Sequence, residues 1–115
     1  MRPRQGACLR SILTAYRPLP TAPTRRAQTK DFAADDVGGQ CEQVMANMGA
    51  ILAAAGSSFG KVVKTTILLE DMADFATVNA VYGKFFPEAP PARATFAVKG
   101  LPLGAKVEID AVALL

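Results

Sequence analysis

Arg93 and Glu108 are the residues of this 115-residue chain whose types and spacing best fit a chemical role. Arg93 opens one predicted strand, two residues before Thr95, and Glu108 follows fifteen residues later inside the next predicted strand. An arginine can hold a small carboxylate through two parallel hydrogen bonds, and a glutamate can position or deprotonate a water molecule. Together these roles indicate hydrolysis of a small organic acid.

The alternation of side chains along the two strands predicts which way these residues face. In the first strand the large apolar Phe96 is expected to enter the core, which leaves Arg93 and Thr95 on the opposite face. In the last strand Ile109 is expected to enter the core, which leaves Glu108 facing away from it. Two solvated charges would give the same pattern, so the spacing alone leaves open whether Arg93 and Glu108 meet.

Asn79 is a further candidate, because asparagine is mildly unfavourable in the middle of a helix and can bond to a group outside it. A solvated position on the helix surface is the simpler explanation. The chain has no histidine, and its two cysteines, Cys8 and Cys41, are far apart. This composition argues against a zinc motif, a Cys/His couple or a disulfide framework, and it favours chemistry without a metal in a reducing compartment.

The elements that must position these residues follow the order helix, strand, helix, strand, strand. The first helix is expected to begin with Asp35 or Asp36 as its N-cap and to end near Gly56. The second helix is expected to begin at Asp71 or Asp74 and to end at a group of prolines. The predicted strands span residues 61–69, 93–99 and 106–113. This order predicts one α+β domain with both helices on one face of a sheet that contains a βαβ unit.

Charge is divided unevenly along the chain. Residues 1–30 carry seven basic and no acidic side chains, a net charge of +7, whereas residues 31–115 carry six basic against ten acidic ones, a net charge of −4. The acidic body argues against a nucleic-acid-binding domain. No apolar run is long enough to span a bilayer or, between Ser11 and Tyr16, to form a secretory signal.

We therefore expect two segments, an atypical basic segment at 1–34 and a folded domain at 35–115. The basic segment has three interpretations: an organelle transit peptide, a disordered arm, or a product of a mis-assembled gene model. The expected location is the cytoplasm, or a mitochondrion or plastid if residues 1–30 are a transit peptide.

Five short segments of the domain occur in an order and spacing that match one protein family. They comprise residues 62–66, 74–82, 85–87, 91–93 and 101–110. These segments resemble the RidA/YjgF family, the reactive-intermediate or enamine/imine deaminases. The match runs without obvious gaps from about residue 35 to residue 114.

The resemblance implies a chorismate-mutase-like α+β fold and a homotrimer with ligand pockets in the clefts between subunits. It also implies a 2-iminobutanoate/2-iminopropanoate deaminase, which hydrolyses 2-aminoacrylate and its imine tautomer to a 2-oxo acid and ammonia without a cofactor. Arg93 matches the arginine that binds the substrate carboxylate, and Glu108 matches the glutamate associated with the attacking water. Asn79 and Thr95 match positions near the substrate, and some family members have a cysteine in place of Thr95.

The N-terminal segment departs from this family. Family members begin with strands that carry a Gly-Pro-Tyr-Ser-Gln-like segment and a later Ser-Gly pair, and residues 1–34 contain neither. The N-terminal strands of the sheet are therefore expected to be missing or replaced, which would expose a sheet edge. Two other functions stay open: a non-catalytic trimer that binds small ligands, and a translation inhibitor that cleaves RNA. The acidic body argues against the second, although a basic arm can bind RNA without specificity.

Overall fold

The computed structural model describes residues 8–14 and 34–115, which form a four-stranded sheet with two helices packed on one face. The elements are β1 (Cys8–Thr14), α1 (Val37–Ala54), β2 (Val62–Leu69), α2 (Phe75–Gly83), β3 (Ala92–Ala97) and β4 (Val107–Leu114). The strands lie in the order β1-β4-β2-β3, and β2 and β3 are parallel whereas the other neighbours are antiparallel. This arrangement confirms the predicted α+β class and the parallel β2-α2-β3 unit.

The helix boundaries follow from the residues that cap them. Asp36 accepts a hydrogen bond from the backbone N–H of Gly39 at 2.9 Å and so starts α1. Gly56 follows the helix with a φ of +78°, a left-handed conformation that favours glycine. Of the two predicted caps before α2, Asp71 accepts from the N–H of Ala73 and begins a 3₁₀ turn, whereas Asp74 makes no side-chain capping bond.

β1 comes from the segment that lacks the motifs of the family's N-terminal strands. It pairs antiparallel with β4, from Cys8 opposite Leu114 to Thr14 opposite Glu108, so that β4 is an interior strand. Of the two alternatives, missing or replaced strands, the structure shows a replacement at this edge. Residues 1–7 and 15–33 lie outside the described residues. They make up most of the segment to which the transit-peptide, arm and gene-model interpretations apply. The domain boundary at residue 34 stays a prediction.

The core lies between the two helices and the sheet. Its fully buried side chains include Cys41, Val44, Met45, Met48, Ile67, Leu69, Val78, Val107 and Ile109. Burial, helped by the nearby Glu42 carboxylate, raises the pKa of the Cys41 thiol to about 12, so the thiol stays protonated as a small core group. Within residues 8–14 and 34–115, the structure contains no helix long and apolar enough to cross a membrane.

Gln40 is a buried polar residue that closes one end of this core. Its Oε1 accepts a hydrogen bond from the N–H of Lys106 at 2.9 Å, and its Nε2 donates to the carbonyl of Ala34 at 3.1 Å. The side chain therefore ties the beginning of α1 to the residue that precedes β4.

Candidate active site

Arg93 lies on the face of the sheet that α1 and α2 cover, the helix-covered face. The register pairs Arg93 with Thr65 of β2, and the Thr65 hydroxyl lies 2.7 Å from the hydroxyl of Tyr82 on α2. Phe96 pairs instead with Leu68 on the opposite, helix-free face, where 54% of its surface is exposed.

The expectation that Phe96 enters the core and that Arg93 faces away from it was therefore wrong. β3 is an edge strand, and the side chains that meet it from α2 include aromatic rings, on which a guanidinium packs well. Arg93 therefore lies on the helix-covered face of β3, where Phe96 was expected, and packs against rings of α2.

Three side chains of α2 hold the guanidinium of Arg93. Its Nη1 donates to Oδ1 of Asn79 at 2.6 Å. Its Cζ lies 5.5 Å from the ring centroid of Phe75 and 5.1 Å from that of Tyr82, both within cation–π range. Because a guanidinium has several N–H donors in a rigid plane, it can bond to Asn79 and still form two parallel bonds to a carboxylate.

The structure thus brings together Arg93 and Asn79, two of the predicted site residues. The sequence reasoning missed Phe75 and Tyr82 as members of this group, because both also belong to the apolar stripe of α2. The missed signal is their spacing: Phe75, Asn79 and Tyr82 are four and three residues apart, which places all three on one face of the helix.

A cavity of about 450 Å³ opens beside the guanidinium. Its walls come from α2, from the proline-rich connection to β3 and from Arg93 itself: Asn79, Tyr82, Gly83, Phe86, Pro90, Pro91 and Arg93. This volume is in the range of small-molecule sites, and the walls combine apolar surface with one fixed cation. A small organic acid fits this combination.

Thr95 lies on the same face of β3 as Arg93, opposite Ile67 of β2. Its hydroxyl oxygen is buried and has no hydrogen-bond partner among the residues that the structure describes. A buried hydroxyl normally has a partner, and Thr95 is not among the residues that line the cavity beside Arg93.

Glu108 lies on the other side of the sheet. It pairs with Leu68 of β2 and Thr14 of β1, and its neighbours along β4, Val107 and Ile109, are buried beneath the helices. Partial burial raises the pKa of the Glu108 carboxyl, and the nearby Asp110 carboxylate raises it further. A carboxylate with a raised pKa is a better proton acceptor near neutral pH than an ordinary glutamate.

The sheet therefore separates the two residues that the sequence singled out first. Arg93 faces the helices, and Glu108 faces away from them. Within one chain, the residue predicted to bind a carboxylate and the residue predicted to position water do not share a face.

Known proteins share this fold and much of this sequence. The chain is 52% identical over 88 residues to Reactive Intermediate Deaminase A, chloroplastic, of Arabidopsis thaliana, a match that covers 76% of this chain and 47% of that protein. It is 50% identical over 78 residues to 2-iminobutanoate/2-iminopropanoate deaminase of Homo sapiens, which covers 68% of this chain and 57% of that protein. The chain thus spans about half the length of these curated relatives.

Solved structures match over a larger share of both chains. The YjgF gene product of E. coli superposes with a TM-score of 0.79 at 35% identity, covering 96% of this chain and 82% of that one. E. coli TdcF with bound serine superposes with a TM-score of 0.79 at 33% identity, covering 96% of this chain and 83% of that one.

A family model described as Endoribonuclease L-PSP matches residues 19–115. The motifs of the sequence, the helices on one sheet face and these similarities agree, and the chain belongs to this family, the RidA/YjgF family of reactive-intermediate deaminases.

Proposed function

We propose that this domain hydrolyses 2-imino and 2-enamino acids, such as 2-aminoacrylate and its imine tautomer 2-iminopropanoate, to 2-oxo acids and ammonia. The observation that carries the proposal is the fixed guanidinium of Arg93 beside a cavity of about 450 Å³. The names of the Arabidopsis and human relatives describe deaminases, and TdcF has been solved with serine, a ligand that carries a carboxylate.

The chemistry needs few groups because the carbon of an imine is already electrophilic. Arg93 holds the substrate carboxylate in two parallel bonds, and the buried hydroxyl of Thr95 provides a further polar contact. Water attacks the imine carbon and forms a C–O bond while Glu108 accepts its proton. The imine nitrogen takes up one proton as water adds and a second as the C–N bond breaks, the new hydroxyl loses its proton to form the C=O bond, and the products are a 2-oxo acid and ammonia. An enamine is first protonated on its terminal carbon to give the imine, so water is the only co-reactant.

Because the sheet separates Arg93 from Glu108, we propose that each site combines Arg93 of one subunit with Glu108 of a neighbouring subunit in a homotrimer. The helix-free face supports this assembly, since it carries Phe96, 54% exposed, and the partly exposed Leu68 near Glu108. Apolar side chains grouped on an open sheet face are typical of a protein–protein contact.

The primary test measures ammonia and 2-oxo acid release from 2-aminoacrylate that a serine or threonine dehydratase generates in the same cuvette. We expect release above the rate of spontaneous hydrolysis with the wild-type protein and none above that rate with Arg93→Ala. A wild-type protein that binds pyruvate yet does not accelerate release would support a non-catalytic ligand-binding trimer instead.

A subunit-mixing experiment tests the shared site. Arg93→Ala and Glu108→Gln subunits are denatured together and refolded as mixed oligomers. If each site takes one residue from each of two subunits, random mixing restores about a quarter of the sites. If mixed oligomers form and stay inactive, the shared site is refuted, while the deaminase activity of the wild-type protein is unaffected by that result.

The name of the Arabidopsis relative describes a chloroplast protein. We propose a cytoplasmic or organellar location for this chain, which fractionation of cells that express the tagged full chain would test. Recovery in the secreted fraction would contradict the proposal.

A further inference from the structure

We propose that Tyr82 is a positioning residue for Arg93: its ring, anchored through a hydroxyl bond to Thr65, fixes the plane of the guanidinium for two-point binding of a carboxylate. The inference rests on the proposed function for the identity of the substrate, but not for the geometry of the clamp.

Tyr82 is held in place at both ends of its side chain. Only 3% of its surface is exposed, and its ring lies 4.8 Å from the ring of Phe86 at a tilt of 41°. Its hydroxyl lies 2.7 Å from Oγ1 of Thr65, a residue that is fully buried on β2. The ring therefore has one orientation, and Arg93 packs against it at 5.1 Å.

The protonation of Tyr82 supports this role. Burial raises the pKa of the phenol, and this effect outweighs the bond to Thr65 and the charge of Arg93, which both lower it. The hydroxyl stays neutral at physiological pH, so it keeps its bond to Thr65. It also places no negative charge near Arg93 that would compete with a substrate carboxylate.

A fixed plane matters because the guanidinium binds a carboxylate through two parallel bonds. An arginine that rotates freely must be ordered when the ligand binds, whereas an arginine held against a ring is already oriented. Asn79 fixes one edge of the guanidinium through its bond to Nη1, and Tyr82 fixes the plane. The contacts to substrate remain those of Arg93, and Tyr82 acts through it.

Two substitutions at position 82 separate the ring from the hydroxyl. Tyr82→Leu removes the ring, and we expect the KM for 2-aminoacrylate and the Kd for pyruvate to rise about tenfold with kcat changed less than about twofold. Tyr82→Phe keeps the ring, and the double variant Tyr82→Phe/Thr65→Val also removes the hydroxyl that would otherwise be left without a partner. We expect both of these proteins to raise KM and Kd by about threefold, less than Tyr82→Leu does, because the ring keeps its packing against Phe86 but loses its anchor at Thr65.

NMR of the Arg93 side chain gives a readout that a merely structural role would not change. In the wild-type protein we expect rotation of the guanidinium to be slow compared with free arginine and its protons to be shifted upfield by the two rings. Tyr82→Leu should lose the part of the shift that comes from the Tyr82 ring and keep the part from Phe75, and Tyr82→Phe should retain both. A wild-type guanidinium that rotates freely overturns the inference even if Tyr82→Leu does not fold.

The inference is overturned if the wild-type guanidinium rotates as fast as free arginine. It is also overturned if folded Tyr82→Leu keeps the wild-type KM and pyruvate affinity. If the wild-type protein shows the expected NMR signature and binds pyruvate but has no turnover, the proposed deaminase activity is refuted. The inference that Tyr82 positions Arg93 is then still supported.

Discussion

On the helix-covered face of the sheet, Arg93 contacts side chains of α2 although it is itself exposed, whereas on the helix-free face Glu108 shares an open surface with the exposed Phe96. On the first face, a cation, its hydrogen-bond acceptor, two aromatic rings and a cavity are already in place within one chain. The second face has a carboxylate with a raised pKa and apolar surface around it, but no layer of this chain covers it in the described residues.

The two predicted roles, binding of a carboxylate and activation of water, place different requirements on the structure. Binding of an anion requires a rigid donor, and packing of α2 on β3 supplies that rigidity within the chain. Activation of water is favoured by a carboxylate that is partly removed from solvent, and Glu108 is only partly buried in one chain.

Arg93→Ala tests the helix-covered face most directly. The variant loses the charged clamp, and we expect kcat/KM for 2-aminoacrylate to fall by about 10³-fold or more. The domain should stay folded because Arg93 is an exposed edge residue, which circular dichroism would check. Arg93→Lys is the matched control, and it should recover only part of the activity because an ammonium does not form the planar two-point bond. Near-normal turnover by Arg93→Ala would refute the assignment.

Glu108→Gln tests the helix-free face. We expect kcat to fall about 10²-fold, because the amide cannot accept the proton of the attacking water. In the wild-type protein the base must be ionised, so kcat/KM should fall as the pH drops through the Glu108 pKa. The raised pKa places that loss at a higher pH than for an ordinary glutamate. Asp110→Asn removes the neighbouring negative charge and should move the inflection to lower pH, and an unchanged inflection would contradict this account.

Phe96→Lys tests whether another subunit covers the helix-free face. Placing a charge where an apolar ring is expected to be buried should weaken assembly by about 2 kcal/mol for each contact between subunits. Sedimentation velocity would report smaller species at low concentration while circular dichroism stays unchanged. Met72→Lys is the control, because Met72 is also exposed, at 45%, but lies in the turn before α2. Equal effects of the two variants would argue against a contact at the helix-free face.

Gln40→Leu tests how much the hydrogen bonds of Gln40, which link α1 to the residue before β4, stabilise the fold. The substitution leaves the N–H of Lys106 and the carbonyl of Ala34 without their side-chain partner, and we expect the free energy of unfolding to fall by about 2 kcal/mol. Urea denaturation measures this change. Gln43→Leu is the control, since the Gln43 amide bonds only to Asn47 within the same helix in the contacts described, and its effect should stay within about 0.5 kcal/mol. Similar losses in both variants would show that the link to Lys106 contributes little.

Leu103→Gly has the smallest expected effect and concerns the loop that joins the strand of Arg93 to the strand of Glu108. Leu103 has a φ of +57°, a left-handed conformation that is costly for leucine, so glycine should raise the free energy of unfolding by up to about 1 kcal/mol. Leu101→Gly is the control, because Leu101 has a φ of −117° and gains no relief. Thermal unfolding compares the two, and a lower melting temperature for Leu103→Gly would show that the leucine side chain contributes more than the strain costs.

Much of the fold could be predicted from the residues because the signals are local. The caps at Asp36 and Asp71, the left-handed Gly56 and the β-branched run of β2 act over a few residues, and all appear as expected. β1 carries none of the motifs that mark the family's first strands. The sequence therefore leaves open whether a strand is missing or replaced at the edge beside β4. Pairing of strands far apart in sequence depends on backbone groups, which every residue has. The residue types therefore indicate only weakly which strands will pair.

The candidate site shows the same division between local and long-range information. The residue types and their family motifs identified Arg93, Glu108, Asn79 and Thr95, and the structure shows that the group outside the helix to which Asn79 bonds is Arg93. The roles of these residues in turnover stay predictions. The contact of Tyr82 with Arg93 could not be predicted, because an apolar stripe on a helix does not reveal that one of its rings also packs against a cation from a neighbouring strand.

The residue pattern alone predicted α1, α2, β2, β3 and β4, the family, and the candidate residues for binding an acid and activating water. It took the packed structure to show that Arg93 lies on the helix-covered face and Glu108 on the opposite face of the sheet. The physical reason is that alternation shows which residues of a strand share a face, but the packing of a helix over an edge strand decides which face is covered. The packing of α2 on β3 therefore explains why Arg93 contacts α2 while the Glu108 carboxylate lies on the helix-free face.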